Sequence, residues 1–327
     1  MARNRSPLWH DRRIVPFDFD AVVAPFRMQP GLRRLGADAR HLTPSRSSDR
    51  TLPEKLGVLR AWPAQAAVSM PGFDAAPALR ALAERAALEH GDSFAIETPL
   101  TWRALQLGWA VHDADVVGSG PPEIGHVLQG LPREWRHAAL LSLAFHEDFA
   151  VIERDGGRIP WILACLPSGW APEEKVGKRF VDVHAPVADS GVLLAAADGL
   201  ARIVTSGEAW ERFVWTLADE PRLHRHPRHV APSAWDPELD AEHLFAAAWL
   251  RTERQTFLPV RGHAQAVFTI QVEVRSLREA LVRHDDALRM RAALASMSDA
   301  VLAYRGLAPA RDRLLAGLDA HAATLLS

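Results

Sequence analysis

The sequence predicts an α/β chain of the α+β type, with a mainly antiparallel sheet flanked by helices. Three observations carry that prediction. Helical patterning dominates residues 1–145, strand-like runs with hairpin links fill residues 146–275, and helical patterning returns over residues 276–327. No βαβ alternation and no GxGxxG is present, so a dinucleotide-binding Rossmann domain is not expected. A single domain is expected, built as a mostly helical N-terminal part, a sheet core and C-terminal helices in that order.

Residues 1–50 read as loosely structured, with the apolar pieces Pro16-Phe17-Asp18-Phe19 and Pro25-Phe26-Arg27-Met28 lying against the main body. Residues 53–62 fit a short helix. Leu79, Leu82 and Ala86 recur at helical spacing and predict an amphipathic helix over 75–90. Thr101 is a good N-cap for a helix over 102–111. Gly118, Gly120, Pro121, Pro122 and Gly125 make 112–132 a loop with a short helical turn. A helix over 133–145 follows. Asp155-Gly156-Gly157 then joins strands over 149–153 and 159–166. A helical turn is expected at 172–176, a helix over 187–204 and a strand over 211–217. Residues 219–240 are proline-rich and irregular. A last hairpin pairs 244–255 with 264–274, and the helical C-terminal part breaks near Gly306 and Pro309.

At 327 residues, 48% hydrophobic and 24% charged, the chain has the composition of a globular protein that buries roughly three quarters of its unfolded surface. A net charge of -2 gives no electrostatic reason to expect nucleic acid or an anionic membrane as partner. No apolar run reaches the ~18 residues of a membrane span. Residues 1–15 are polar and Arg-rich without an apolar h-region, so a cytoplasmic location is expected. The single cysteine, Cys165, excludes an internal disulfide and a four-cysteine iron–sulfur cluster held by this chain alone. Redox chemistry here would need another cofactor or electrons from outside.

The last hairpin holds the best candidate chemistry. Period-two alternation puts Trp249, Arg251, Glu253 and Gln255 on one face of its first strand, with Leu250, Thr252, Arg254 and Thr256 on the other. Ionised groups within a sheet are costly unless paired or functional. The first face is either an ion-pair network or the wall of a polar pocket, and both readings stay open at this point. His184 is expected between a short strand and a helix start, a position suited to an axial metal ligand or to an ordinary half-buried histidine. His146-Glu147-Asp148 reads as a solvated loop, and His224, His226 and His229 as a surface loop. Cys165, in an apolar strand, reads as core.

Several blocks in order resemble one known family. They are Phe26-Arg27-Met28-Gln29-Pro30-Gly31-Leu32, Glu147 to Ile152 with Asp155-Gly156, and Leu166-Pro167-Ser168-Gly169-Trp170. Glu174-Lys175-Val176-Gly177, Val183-His184-Ala185-Pro186-Val187, Arg251 to Thr256 and Ala266 to Ile270 complete the set. Together, over roughly residues 16–310, the chain is similar to the haem-dependent oxidative N-demethylases. That resemblance implies a PAS-like fold holding haem b. It implies a monooxygenase that uses O2 to oxidise a small secondary amine, dimethylamine-like, to a primary amine and formaldehyde. Electrons would come from an external reductase partner protein with flavin and iron–sulfur centres.

Carried onto this chain, the resemblance makes His184 the haem iron ligand. It makes Glu253 a distal carboxylate that attracts a dialkylammonium and relays protons. Arg251 or Arg254 would pair with a haem propionate or hold Glu253, and Trp249 or Phe268 would pack on the macrocycle. The chain departs from the family pattern at Val214-Trp215-Thr216-Leu217, at Leu258 to His263 and at Thr269-Ile270-Gln271. The family there has Asn-Trp-Ser-Leu, Leu-Pro-x-Ser/Thr-Gly and Thr-Ile-Arg. His263 is a spare histidine able to serve as a second ligand. The other readings are a non-catalytic haem or small-ligand-binding PAS-like module and a haem-free partner subunit.

Overall fold

The computed structural model describes residues 14–36 and 38–326. Residues 1–13 of the stretch expected to be loosely structured lie outside the described residues. In chain order the strands are β1 (Arg33–Arg34), β2 (Ala67–Ser69), β3 (Phe94–Thr98), β4 (Thr101–Ala104), β5 (Trp109–His112) and β6 (Asp115–Gly118). They continue with β7 (Asp148–Glu153), β8 (Trp161–Leu163), β9 (Trp210–Ala218), β10 (Trp249–Val260) and β11 (Gln265–Ser276). Seven form one sheet in the order β1-β9-β10-β11-β7-β8-β2, and β3 to β6 form a separate four-stranded meander. Every pairing in both sheets is antiparallel. The expected α+β architecture is therefore present, and the strands read from sequence lie side by side as β9-β10-β11-β7-β8.

Two local readings are corrected. Residues 102–111 do not form an α-helix: β4 and β5 run there, joined through a single 3-10 turn at Leu105–Leu107 and Gly108 in the left-handed region at φ 70°. Trp102 and Ala104 are buried while Arg103 is not, which is the period of a strand. Gly108 also lets backbones meet, since a Cβ there would come within 2.8 Å of Gly120 Cα. Residues 112–132 carry β6 and the Pro122–Gly130 helix rather than a loop. The N-terminal part is thus a mixed α and β unit, not a mostly helical one. Likewise His184 follows no strand; it ends the short Phe180–His184 helix.

The helices Thr51–Ala61, Ala76–Glu89 and Arg136–Ala144 supply much of the larger core, with Phe149, Leu163 and Val272 from the sheet. A second core joins Trp215 and Leu250 to the helices His284–Ala295 and Arg311–Thr324. Among the described residues no helix is long and apolar enough to cross a membrane.

Charges are buried in the first core. Lys55 is 0% exposed, and its Nζ donates to the carbonyls of Ser142 (3.0 Å), Phe145 (3.2 Å) and Glu147 (2.6 Å). The Ser142 and Phe145 carbonyls lie at the end of the Arg136–Ala144 helix, where a cation is favoured. Asp148 Oδ1 lies 3.2 Å from the same ammonium, and Asp148 Oδ2 accepts from the Leu166 amide at 2.6 Å. The solvated loop expected at His146-Glu147-Asp148 is therefore a buried knot, because its charges have partners inside. Cys165 is buried as expected, and burial with the nearby Asp148 charge pushes its thiol up to about 12. Native protein at pH 8 should leave Cys165 unmodified by a disulfide reagent, with full reaction once urea unfolds the chain. Rapid labelling of the folded form would contradict this burial.

Candidate functional site

The register of β9 against β10 builds the site. Arg251 faces Thr216, Glu253 faces Val214 and Gln255 faces Arg212, so these side chains share one sheet face. In front of that face lies a cavity of about 790 Å³, within the usual range for ligand sites of about 300–1,000 Å³. The 168–170 turn, His184 and residues 303–306 close its sides, and the N-terminal arm over residues 18–33 covers it. Phe26 holds the arm down: its ring meets Trp215 edge-on at 5.9 Å, and its amide donates to Ser296 Oγ at 2.8 Å.

Of the two readings left open for the Arg251 and Glu253 face, the pocket wall is the one found. Glu253 Oε2 accepts from Gln255 Nε2 at 2.6 Å, and Oε1 accepts a very short hydrogen bond from Ser168 Oγ. Ser168 Oγ in turn accepts from Arg251 Nε at 2.8 Å. The rest of the guanidinium donates to the carbonyls of Arg222 (3.0 Å), Leu166 (3.3 Å) and Leu223 (2.8 Å). Burial pushes Arg251 down to about 10, which still leaves it charged at neutral pH. Arg251 thus positions Glu253 through Ser168 and is itself committed to backbone. Each Glu253 oxygen keeps a lone pair for a ligand.

His184 lines the same cavity. Its ring stacks on Phe180 at 4.0 Å, and Nδ1 donates to the Phe180 carbonyl at 2.9 Å. A carbonyl only accepts, so Nδ1 carries the proton and Nε2 keeps its lone pair. Burial first, then the positive charges of Arg212 and Lys175, push His184 down to about 4. At neutral pH it is a neutral imidazole of fixed tautomer, the form that ligates metals.

Three side chains assigned by resemblance lie elsewhere. Arg254 points to the opposite sheet face, where its Nε bonds Glu211 at 2.9 Å, and Glu211 also bonds Arg33. Its place follows from strand parity, one residue away from Glu253. Trp249 starts β10 and packs against the larger core. Phe268 shares the cavity's sheet face but sits four residues along the hairpin from the Glu253 pair, stacked on Phe257 at 4.9 Å. Neither ring lines the cavity. His263 is exposed in the β10–β11 turn and takes no part, and Gln271 is buried with its amide on Thr43. Val214, of the departures, does line the cavity.

The 224–229 histidines are not a surface loop. His224 and His226 are buried, and Trp62 stacks on His229 at 3.7 Å. His224 Nδ1 donates to the Cys165 carbonyl at 2.7 Å, and His226 bonds Glu173 at 3.1 Å. Among the described residues no group of three or more His, Cys, Asp or Glu converges as a metal site. The reading from sequence missed Ser168, Arg212 and Arg305. Ser168 sat inside a quoted block, but its link to Glu253 spans 85 residues and needed the fold.

An apolar and aromatic cavity with a neutral imidazole and several guanidiniums fits a porphyrin bearing carboxylates. Comparison with known proteins agrees on the family. The model for haem-dependent oxidative N-demethylase, alpha subunit-like, matches residues 130–315, more than half of the chain. No curated protein matches. The matched span runs through every strand from β7 to β11 and includes His184, Ser168 and Glu253. This chain belongs to the haem-dependent oxidative N-demethylase alpha-subunit-like family.

Proposed function

We propose that the chain binds haem b through His184 and oxidatively N-demethylates a small secondary amine to a primary amine and formaldehyde. One observation carries this reading: a single cavity joins a neutral imidazole with an open Nε2 to a carboxylate whose two oxygens can both accept from a ligand. Bound haem would supply oxygen activation and electron transfer, with electrons from a separate flavin and iron–sulfur reductase. The fully buried Cys165 fits an external electron source.

The chain's own residues would bind and deprotonate the amine. A dialkylammonium has two N–H donors, and Glu253 offers two oxygens fixed by Ser168 and Gln255. Removing one proton to Glu253 exposes the nitrogen lone pair, which an oxidation next to nitrogen requires. Trp170, Val214 and the arm line the same cavity as Glu253 and would border the bound amine.

The test is spectroscopic first. Haem-reconstituted protein should show a Soret band that shifts with dimethylamine, and should release formaldehyde when given reductant and O2. Glu253→Gln should keep the Soret band, lose the amine-induced shift and release formaldehyde at least about 100-fold more slowly. An unchanged amine shift in that variant would sink the role of Glu253. A band and a shift without formaldehyde would make the protein a binding module instead.

A further inference from the structure

Six arginines line the cavity, and they are not alike. Arg33 pairs with Asp18 and Glu211, Arg225 with Asp219 and Glu220, and Arg251 is spent on carbonyls. Arg27 is exposed. Arg212 and Arg305 differ from all of these: among the described residues neither is in an ion pair, and each has a buried Nε without a hydrogen-bond partner. Arg212 makes one long hydrogen bond, from Nη1 to the Pro30 carbonyl at 3.3 Å. Arg305 reaches the Trp215 carbonyl with Nη1 at 2.5 Å and is held over the faces of Phe26 (4.7 Å) and Trp215 (5.6 Å). Both keep some accessible surface, which opens on the cavity, while the protein around them is dense enough for burial to lower both groups, Arg305 to about 10. Glu253 is the carboxylate whose charge acts on Arg212, but among the described residues the two form no ion pair.

A buried cation with an unfilled donor is costly, and two facing one cavity call for two negative charges from the occupant. We propose that Arg212 and Arg305 are the side chains that take the two propionate carboxylates of the haem, one on each. This rests on the haem reading above and goes beyond it by fixing which end of the cofactor faces which wall. Guanidinium and carboxylate match in shape and can bond in pairs. Arg212 comes from β9 and Arg305 from just past the Asp299–Tyr304 helix, so haem would tie the sheet to the C-terminal helices.

The experiment is a Soret titration of the 327-residue chain with haemin and with haemin dimethyl ester, whose carboxylates are masked. Haemin should bind the unmodified protein at least about 100-fold more tightly than the ester, about tenfold or more for each masked carboxylate. In Arg212→Gln and in Arg305→Gln that ratio should shrink by about tenfold or more, toward what one carboxylate contributes. Each ratio is internal to one protein, so a general loss of folding does not mimic the result. Equal binding of haemin and ester to unmodified protein would overturn the proposal, as would an undiminished ratio in either variant. No Soret band with either porphyrin would overturn the haem reading itself, a distinct outcome.

Discussion

His184→Ala protein supplied with haem is expected to lose the Soret band of a ligated iron. The expectation follows from how the ring is held. Stacking on Phe180 fixes its plane, the Nδ1 hydrogen bond to the Phe180 carbonyl fixes its tautomer, and burial keeps it neutral. All three leave Nε2 as the donor toward the cavity. Removing only a group that orients a ligating histidine typically weakens metal binding about 10–100-fold, so loss of the ligand itself should exceed about 100-fold. The ring is half-buried and among the described residues makes no second hydrogen bond, so the fold should lose only about 1 kcal/mol. Added imidazole should restore the band by filling the vacated space. Retention of the full band in the variant would remove His184 as the ligand.

Lys55→Met should be the most destabilising single change away from the cavity. The methionine fills much of the same volume, but the Asp148 carboxylate and the carbonyls of Ser142, Phe145 and Glu147 lose their shared cation. Breaking a buried pair from one side costs about 3–5 kcal/mol. Adding Asp148→Asn should recover part of that loss, because the stranded charge goes. The pH dependence has a defined sign. Burial raises Glu147 above its ordinary value, against the opposing charges of His146 and Lys55. A raised carboxyl gives stability that is full below its unfolded pKa and is lost as pH rises through the folded one. Without Lys55 the carboxyl rises further, so the variant should lose more stability at pH 7 than at pH 5. Urea midpoints at the two pH values measure this, and a loss under about 1 kcal/mol at pH 7 would refute it.

The hairpin was legible because its alternation is strict: Arg251, Glu253 and Gln255 sit on the face that period two assigned them. His184, singled out in the sequence, does line the cavity, but it was not legible as a helical residue, since the Phe180–His184 helix is only five residues long and carries no strong pattern. Trp249 and Phe268 failed for another reason. Which stretch of a long strand faces a cavity is set by the neighbouring strand and by the arm, not by the strand's own sequence. The β4–β5 segment was misread because Thr101 caps helices and opens strands equally well, and Gly108 was the neglected signal. Lys55, Glu147 and Asp148 were invisible as core because charged residues are almost never fully buried unless paired, and pairing across 93 positions leaves no local trace.

The N-terminal arm has a second consequence. The seven-stranded sheet ends on one side at β2, of three residues, and on the other at β1, of two. Beyond the pairing of Arg33 and Arg34 with Glu211 and Trp210, the outer rim of β9 is walled by the arm and Arg305 instead of by another strand. Long open rims are where separate chains zip together and aggregate. The segment that covers the cavity therefore also occupies the rim of β9 on which a further strand could pair, so one short stretch of chain both encloses the cavity and closes a sheet edge.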